Sequence, residues 1–390
     1  GFFDTVKRMR LPDWPIHTEK ALEYLRLVLE SQQWGGFHPI VAELEQRFAR
    51  YQQCGHGIAM MNGTVTLETM LQALDIGPGD EVVVPAISFV STATAVSRVG
   101  AVPVFVDIEP YTFNMDPASV EQAISPSTKA ILAVHFGGPF ADMDRLQAIA
   151  SKHGLFLLED AAHAHGSEWR GKRAGTLGVA ASFSFQNSKV LTAGEGGMVL
   201  LNDETLAARV RSIANQGRRP GHSFFTHFEL GSNLRITALQ AAVLMAQMDL
   251  LDEQIERRTR NAGIFLDRLK DVEGIRWQQV HETVNRNSWY LVLGRVDAPV
   301  LGGSRDRFCE ALKEEGIPVT PFYPHTLFEN PLYQQLPCRT MDCPVSKSCV
   351  NDAFWLPHRV LLGDDHTTLS IADGVARAAS RVHNANRISV

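Results

Sequence analysis

The chain has 390 residues, 45% of them apolar and 21% charged, with a formal net charge of -6. That length accommodates two or three domains with large buried cores, and the mild acidity gives no electrostatic case for nucleic acid or an anionic membrane as a partner. No run approaches the roughly 18 uninterrupted apolar residues of a membrane span, the opening GFFDTVKRMRL lacks the apolar core of a signal peptide, and five cysteines, an odd and sparse set, suggest a reducing compartment.

Leu22, Leu25, Val28 and Leu29 fall at helical spacing ahead of Trp34-Gly35-Gly36. Val41, Leu44, Phe48 and Tyr51 predict a second helix ending near Gly55. Asn62-Gly63-Thr64 opens a third, which carries Leu67, Met70, Leu71 and Leu74 and stops at Gly77-Pro78-Gly79. The rhythm then changes. Short apolar strands are expected at Glu81 to Pro85, Val102 to Asp107, Ala130 to Val134 and Leu155 to Asp160. Between them lie helices at residues 90–99, Pro117 to Ile124 and Asp142 to His153. Apolar strands alternating with amphipathic helices predict an α/β fold with a mostly parallel sheet covered on both faces. Ligands of such sheets sit at the carboxyl ends of the strands, which places Pro85 to Phe89, His135 to Gly138 and Asp160 to His163 on the functional edge. Ser182-Phe183-Ser184-Phe185 alternates polar and apolar, the pattern of a half-buried strand.

Residues 236–270 read as one long helix or two joined ones, with Arg257, Arg258 and Arg260 on a solvated face. Trp289 to Leu293 is a strand candidate, and Phe308 to Glu315 a helix ending at Gly316. The shorter elements here predict a smaller α+β C-terminal domain. The division is residues 1–250 for the large domain and 251–390 for the small one. Cys338, Cys343 and Cys349 lack the C-x2-C spacing of common zinc sites, and no metal site is expected; free buried thiols are.

Lys189 stands directly ahead of the small-residue turn Thr192 to Gly197. A lysine desolvated at a strand end loses proton affinity and becomes an amine nucleophile for carbonyl compounds; alone, it is equally a lysine packing its stem beneath a loop. Asp160 closes a strand. A carboxylate there can pair with the protonated ring nitrogen of a buried ligand, the partner that pyridoxal phosphate requires; alone, it is more simply a cap for the following segment. Asn62-Gly63-Thr64 at a helix N-terminus offers backbone N–H groups to a phosphate. Ser184 can add a hydroxyl, and Phe89 can stack on an aromatic ring.

Taken in order, the motifs resemble the DegT/DnrJ/EryC1/StrS aminotransferases, pyridoxal-phosphate-dependent enzymes acting on keto sugars and cyclitols. The matching stretches are NGT at 62–64, IGPGDEVVVPAISFVST from Ile76, GAVPVFVDI from Gly100, EDAAHAHGS from Glu159, SFSFQNSK up to Lys189, GEGGMV from Gly194 and GSNLRI from Gly231. The resemblance implies fold type I and a homodimer with shared active sites. It implies that Lys189 bonds the cofactor carbonyl, that Asp160 pairs with the ring nitrogen, and that Gly63, Thr64 and Ser184 hold the phosphate. Phe89 would stack on the ring, and Asn233 would reach the phosphate of the neighbouring subunit. His163 stands where many members have Gln and can still hydrogen-bond the cofactor oxygen. Gln186 stands where many have His. DAAHAHG, SFSFQNSK and WLPHRVLLG from Trp355 are most similar to two subgroups, the glutamine-dependent aminotransferases of scyllo-inosose-type ketones and the 3-amino-5-hydroxybenzoate synthases. The expected activity is amino transfer from glutamine or glutamate to a keto-cyclitol or keto-sugar in the cytoplasm. Arg235, Tyr323 and His325 are the substrate-binding candidates. The rival readings are an aromatising dehydratase of the aminohydroxybenzoate type, a nucleotide-linked keto-sugar aminotransferase, and a cofactor-binding regulator without turnover. Dehydratases of the family replace the lysine with histidine, which the presence of Lys189 argues against.

Overall fold

The computed structural model describes residues 11–387; residues 1–10, the segment read as lacking a signal-peptide core, lie outside the described residues. An eight-stranded sheet occupies the centre, in the order His56–Met60, Gly197–Leu201, Ala180–Ser184, Phe156–Asp160, Thr128–Val134, Glu81–Pro85, Val102–Val106 and Arg339–Thr340. Gly197–Leu201 runs antiparallel to both its neighbours. The remaining pairings are parallel. Ile131, Leu132, Ala133, Val83, Val84 and Leu158 are fully buried, because helices cover both faces. One face packs against Phe48, Leu44 and Phe113, the other against Leu67, Leu71 and Val96. Each such aliphatic side chain contributes roughly 1.5–3 kcal/mol by leaving water. The architecture is α/β with a mostly parallel sheet.

Ala180–Ser184 is buried throughout rather than half-buried. Its alternation sorts side chains between two covered faces. Ser182 meets Thr66 of the helix Gly63–Ala73 at 2.5 Å, while Phe183 and Phe185 pack edge-on against Phe48. Residues 236–270 resolve into two helices, Ala238–Gln247 and Leu251–Leu269.

Arg258 corrects a sequence-based expectation. Arg257 and Arg260 are exposed and pair with Glu253 and Asp365, but Arg258 is 0% exposed. It shares the helix face of Ile255, Asn261 and Ala262, one turn away on either side, and all three are buried. Its Nε donates to the Ser288 carbonyl at 2.7 Å. Burial pushes its guanidinium down to about 9.

A second, antiparallel sheet joins Ile275–Trp277, Leu291–Val296, Ala353–Pro357 and Thr320–Pro321. Its core includes Phe265, Phe308, Phe354 and Val375. The strand begins at Leu291, not at Trp289, whose backbone is left-handed with φ 54°. We propose a boundary near residue 250, at the joint between the two helices. Chain from beyond it returns to the large sheet. Arg339–Thr340 pairs with Val102–Val106, and Asp107 accepts from Val345 N and Ser346 N at 3.0 and 2.8 Å. Cys343 and Cys349 are buried free thiols, pushed up to about 12 by burial. Among the described residues no group of three or more His, Cys, Asp and Glu side chains is placed to hold a metal, and no helix is long and apolar enough to cross a membrane.

Candidate active site

The parallel strands deliver their carboxyl ends to one edge. Met60, Pro85, Val134, Asp160 and Ser184 each end a strand there. Asp160 and Glu159 are neighbours in one strand, so they point to opposite faces. Glu159 faces away from the ligand edge and is fully satisfied. It takes His135 Nε2 at 3.0 Å and the N–H groups of Gly175, Leu177 and Gly178 at 2.9, 2.9 and 2.6 Å. Burial pushes its carboxyl up, but these donors outweigh it and the net direction is down.

Asp160 is the contrast. It is 7% exposed, and its Oδ2 accepts from Thr92 Oγ1 at 2.8 Å and its Oδ1 from Ala162 N at 3.3 Å. Burial holds its carboxyl above the usual range despite the Thr92 and Ala162 donors. An anion so placed gains from a cationic N–H partner brought by a ligand.

Lys189 lies five residues past its strand, in a turn closed by Lys189 N to Gln186 O at 2.9 Å. It is half-buried, not sealed from solvent. Its Nζ stands 4.4 Å from the centre of the Tyr290 ring. His163, 7% exposed, accepts from Gly137 N on Nδ1 at 3.2 Å. Burial, and then the charge of Lys189, push the imidazole well below its ordinary range. Because Nδ1 accepts the Gly137 N–H, the ring proton is placed on Nε2 as the one N–H donor.

Asn62 caps the helix Gly63–Ala73, its side chain accepting from Val65 N at 3.0 Å. The first-turn N–H groups of such a helix face outward. A Cβ on Gly63 would lie 2.9 Å from Ser184 Cβ, so only glycine leaves this cradle open. Thr64 Oγ1 meets Ser91 Oγ at 2.7 Å. Phe89, just past a strand end, is 59% exposed and presents a free ring face. The set fits pyridoxal phosphate. A helix N-terminus with hydroxyls on either side suits a dianionic phosphate. A buried carboxylate without a cationic bond partner suits a pyridinium, and a primary amine suits the carbonyl.

Other predicted residues make no direct bond to Lys189, Asp160 or His163 among the described residues, although Arg235 is bridged to Met60 at the ligand edge. Asn233 is exposed in an extended segment bridged to Asn215. Arg235 Nη1 donates to Asn215 Oδ1 at 2.7 Å, and its guanidinium covers the exposed Phe37 ring at 4.8 Å. No hydrogen bond or ring contact joins either to Lys189, Asp160 or His163 among the described residues. His325 is exposed. Tyr323 packs on Phe136 and Trp355 at 6.2 and 5.4 Å. Phe136 packs in turn on His163 at 5.5 Å, which puts Tyr323 beside the site, and burial raises its phenol. Gly137 falls in the stretch expected on the functional edge, whereas Thr92, Ser188 and Tyr290 were not anticipated. Thr92 had a signal, since SFVST follows a strand end; Tyr290 had none, being brought in from the small sheet.

The sequence matches the model of the DegT/DnrJ/EryC1/StrS aminotransferase family over residues 15–373. It is 38% identical over 388 residues to 3-amino-5-hydroxybenzoate synthase of Amycolatopsis mediterranei (strain S699), covering 95% of this chain and 99% of that one. It is 38% identical over 406 residues to L-glutamine:2-deoxy-scyllo-inosose aminotransferase of Streptomyces paromomycinus, covering 94% of each. A crystal structure of 3-amino-5-hydroxybenzoic acid synthase superposes with a TM-score of 0.91 at 35% identity, covering 96% of this chain and all of that one.

Proposed function

Because the chain belongs to the DegT/DnrJ/EryC1/StrS aminotransferase family and is a pyridoxal-phosphate-dependent enzyme of fold type I, we propose that it carries an amino group from glutamine or glutamate to a keto-cyclitol. The observation that carries this reading is the placement at one sheet edge of a half-buried primary amine, Lys189, and a buried carboxylate, Asp160, which among the described residues accepts hydrogen bonds from Thr92 Oγ1 and Ala162 N and from no cationic side chain. Pyridoxal phosphate, when bound, supplies a carbonyl that takes and gives the amino group and a ring that accepts the electron pair left when a C–H bond breaks.

The residues divide the remaining work. Gly63, Thr64 and Ser184 receive the phosphate at the helix N-terminus. Phe89 covers one face of the ring. Asp160 keeps the ring nitrogen protonated by placing a negative charge against it. His163 would offer its Nε2–H as a hydrogen-bond donor to the cofactor's ring oxygen. Lys189 would supply the amine that holds the cofactor's carbonyl carbon and the base that moves a proton at the reacting carbons. Asn233 is proposed to complete the phosphate site of a second copy in a homodimer, which its exposure permits. Tyr323 is kept as a substrate contact from its place beside the site. Arg235, bridged to Met60, and His325, two residues from Leu327 whose N–H bonds Ala86 O, are kept as substrate contacts near the ligand edge.

The likeness to an aminohydroxybenzoate synthase favours a second reading, in which the same lysine and aspartate promote loss of water from an aminocyclohexenone. A panel of ketones separates the two. The protein, loaded with cofactor and treated with glutamine, should lose its visible band. Addition of scyllo-inosose or 2-deoxy-scyllo-inosose should restore it. Restoration only by nucleotide-linked keto sugars would replace the acceptor class. Failure of glutamine and glutamate to bleach the band, with aromatisation of an aminocyclohexenone, would replace the reaction.

A further inference from the structure

Tyr290 touches His163 directly and reaches Gln186 through Ser188. Its ring centre lies 4.4 Å from Lys189 Nζ and 4.3 Å from the His163 ring centre. Its hydroxyl is 2.8 Å from Ser188 Oγ. The Ser188 hydroxyl has one proton, and it is directed to Gln186 Oε1 at 2.8 Å. Tyr290 is therefore the donor, and a directed chain runs Tyr290 O–H to Ser188 Oγ to Gln186 Oε1. The same Gln186 oxygen accepts from Ser188 N at 2.8 Å. The chain thus fixes the turn that carries Lys189.

Tyr290 is itself held. It is 9% exposed. Ser288, two residues earlier, donates its Oγ to His163 O at 2.5 Å and receives Arg258 Nε on its carbonyl at 2.7 Å. Leu291 N donates to Gly137 O at 3.0 Å, and Gly137 N is the donor that fixes the His163 tautomer. The left-handed backbone at Trp289 turns the segment so that these bonds form together. Residues 288–291 thus strap the small sheet to three loops of the ligand edge.

We propose that Tyr290 is a positioning residue for the amino-transfer reaction. Its hydroxyl fixes the Lys189 turn through Ser188 and Gln186, and its ring face stabilises positive charge on the Lys189 nitrogen while holding His163 in place. The inference rests on the pyridoxal-phosphate reading above. An aromatic face within about 6 Å of a cation attracts it, and a neutral hydrogen bond held in a site is worth a few-fold to about tenfold in an equilibrium or rate.

The test uses the cofactor-loaded protein and three variants, Tyr290→Phe, Ser188→Ala and Tyr290→Leu. Tyr290→Phe and Ser188→Ala should each lower kcat about threefold to tenfold with KM for glutamine changed less than about twofold. The double variant should be no slower than the worse single one, since both break one chain. The pH titration of the visible band should keep its midpoint in Tyr290→Phe, which retains the ring, and move to lower pH in Tyr290→Leu, which removes the aromatic face. A loss of thermal stability alone moves neither the kcat-to-KM split nor that midpoint. Additive effects in the double variant, or a wild-type midpoint together with wild-type kcat in Tyr290→Leu, would overturn the proposal. A wild-type protein that forms no visible band with pyridoxal phosphate would overturn the cofactor reading, and this inference with it.

Discussion

Lys189→Ala is expected to lower turnover on the order of 1000-fold or more while leaving the fold intact. Proton transfer by a positioned side chain contributes about 100-fold to 10,000-fold, and this lysine is also the amine that bonds the carbonyl. The variant should still bind pyridoxal phosphate, because the helix N-terminus, Ser184 and Asp160 remain, but with the absorbance of a free aldehyde. Lys189 is half-buried and its Nζ faces the Tyr290 ring with no hydrogen bond or ion pair among the described residues, so truncation breaks neither, and Asp160 loses only a nearby positive charge. Thermal melting of the cofactor-free variant should therefore match wild type. Near-normal transamination by Lys189→Ala would end the assignment.

Asp160→Asn is expected to cut the rate about 100-fold, through weaker binding of a protonated ring nitrogen. An amide can accept the Thr92 hydroxyl but carries no charge to hold a pyridinium. The cofactor-free protein should respond in the opposite sense. Burial raises the Asp160 carboxyl in the folded state. A carboxyl raised on folding binds its proton more tightly when folded, so its ionised form opposes folding above that range and the opposition fades as pH falls. Asp160→Asn removes that cost, and the cofactor-free variant should melt no lower than wild type at neutral pH. A variant that keeps a tenth or more of the activity would show that Asp160 is not the ring partner.

The two leading residues were legible because the sequence signals strand ends directly. An apolar run closing on Asp160, and a small-residue turn following Lys189, place both on the ligand edge without any knowledge of side-chain contacts. The open cradle at Gly63 was legible as a helix start, and the structure supplies the reason for glycine, the Ser184 side chain opposite it. Arg258 was misread because three arginines within four residues look like one solvated face, whereas helical phase puts the middle one inward with Ile255 and Ala262. Ser182 to Phe185 was read as half-buried because alternation is the same for one covered face and for two faces lined by different partners. Tyr290 could not be found from spacing. It reaches Lys189 only because a left-handed residue turns the chain into the site just before the small sheet begins. Asn233 is exposed and bridged to Asn215, and its proposed role belongs to a second copy.

The central claim is transfer of an amino group, and following that group by isotope tests it most directly. Glutamine labelled with 15N at the α-amino position should be incubated with the cofactor-loaded protein and 2-deoxy-scyllo-inosose. The label should appear in a new amine on the cyclitol ring, in amount equal to the 2-oxo acid formed from glutamine. Label that remains on glutamine, or leaves as ammonia while the ketone is unchanged, would contradict the account.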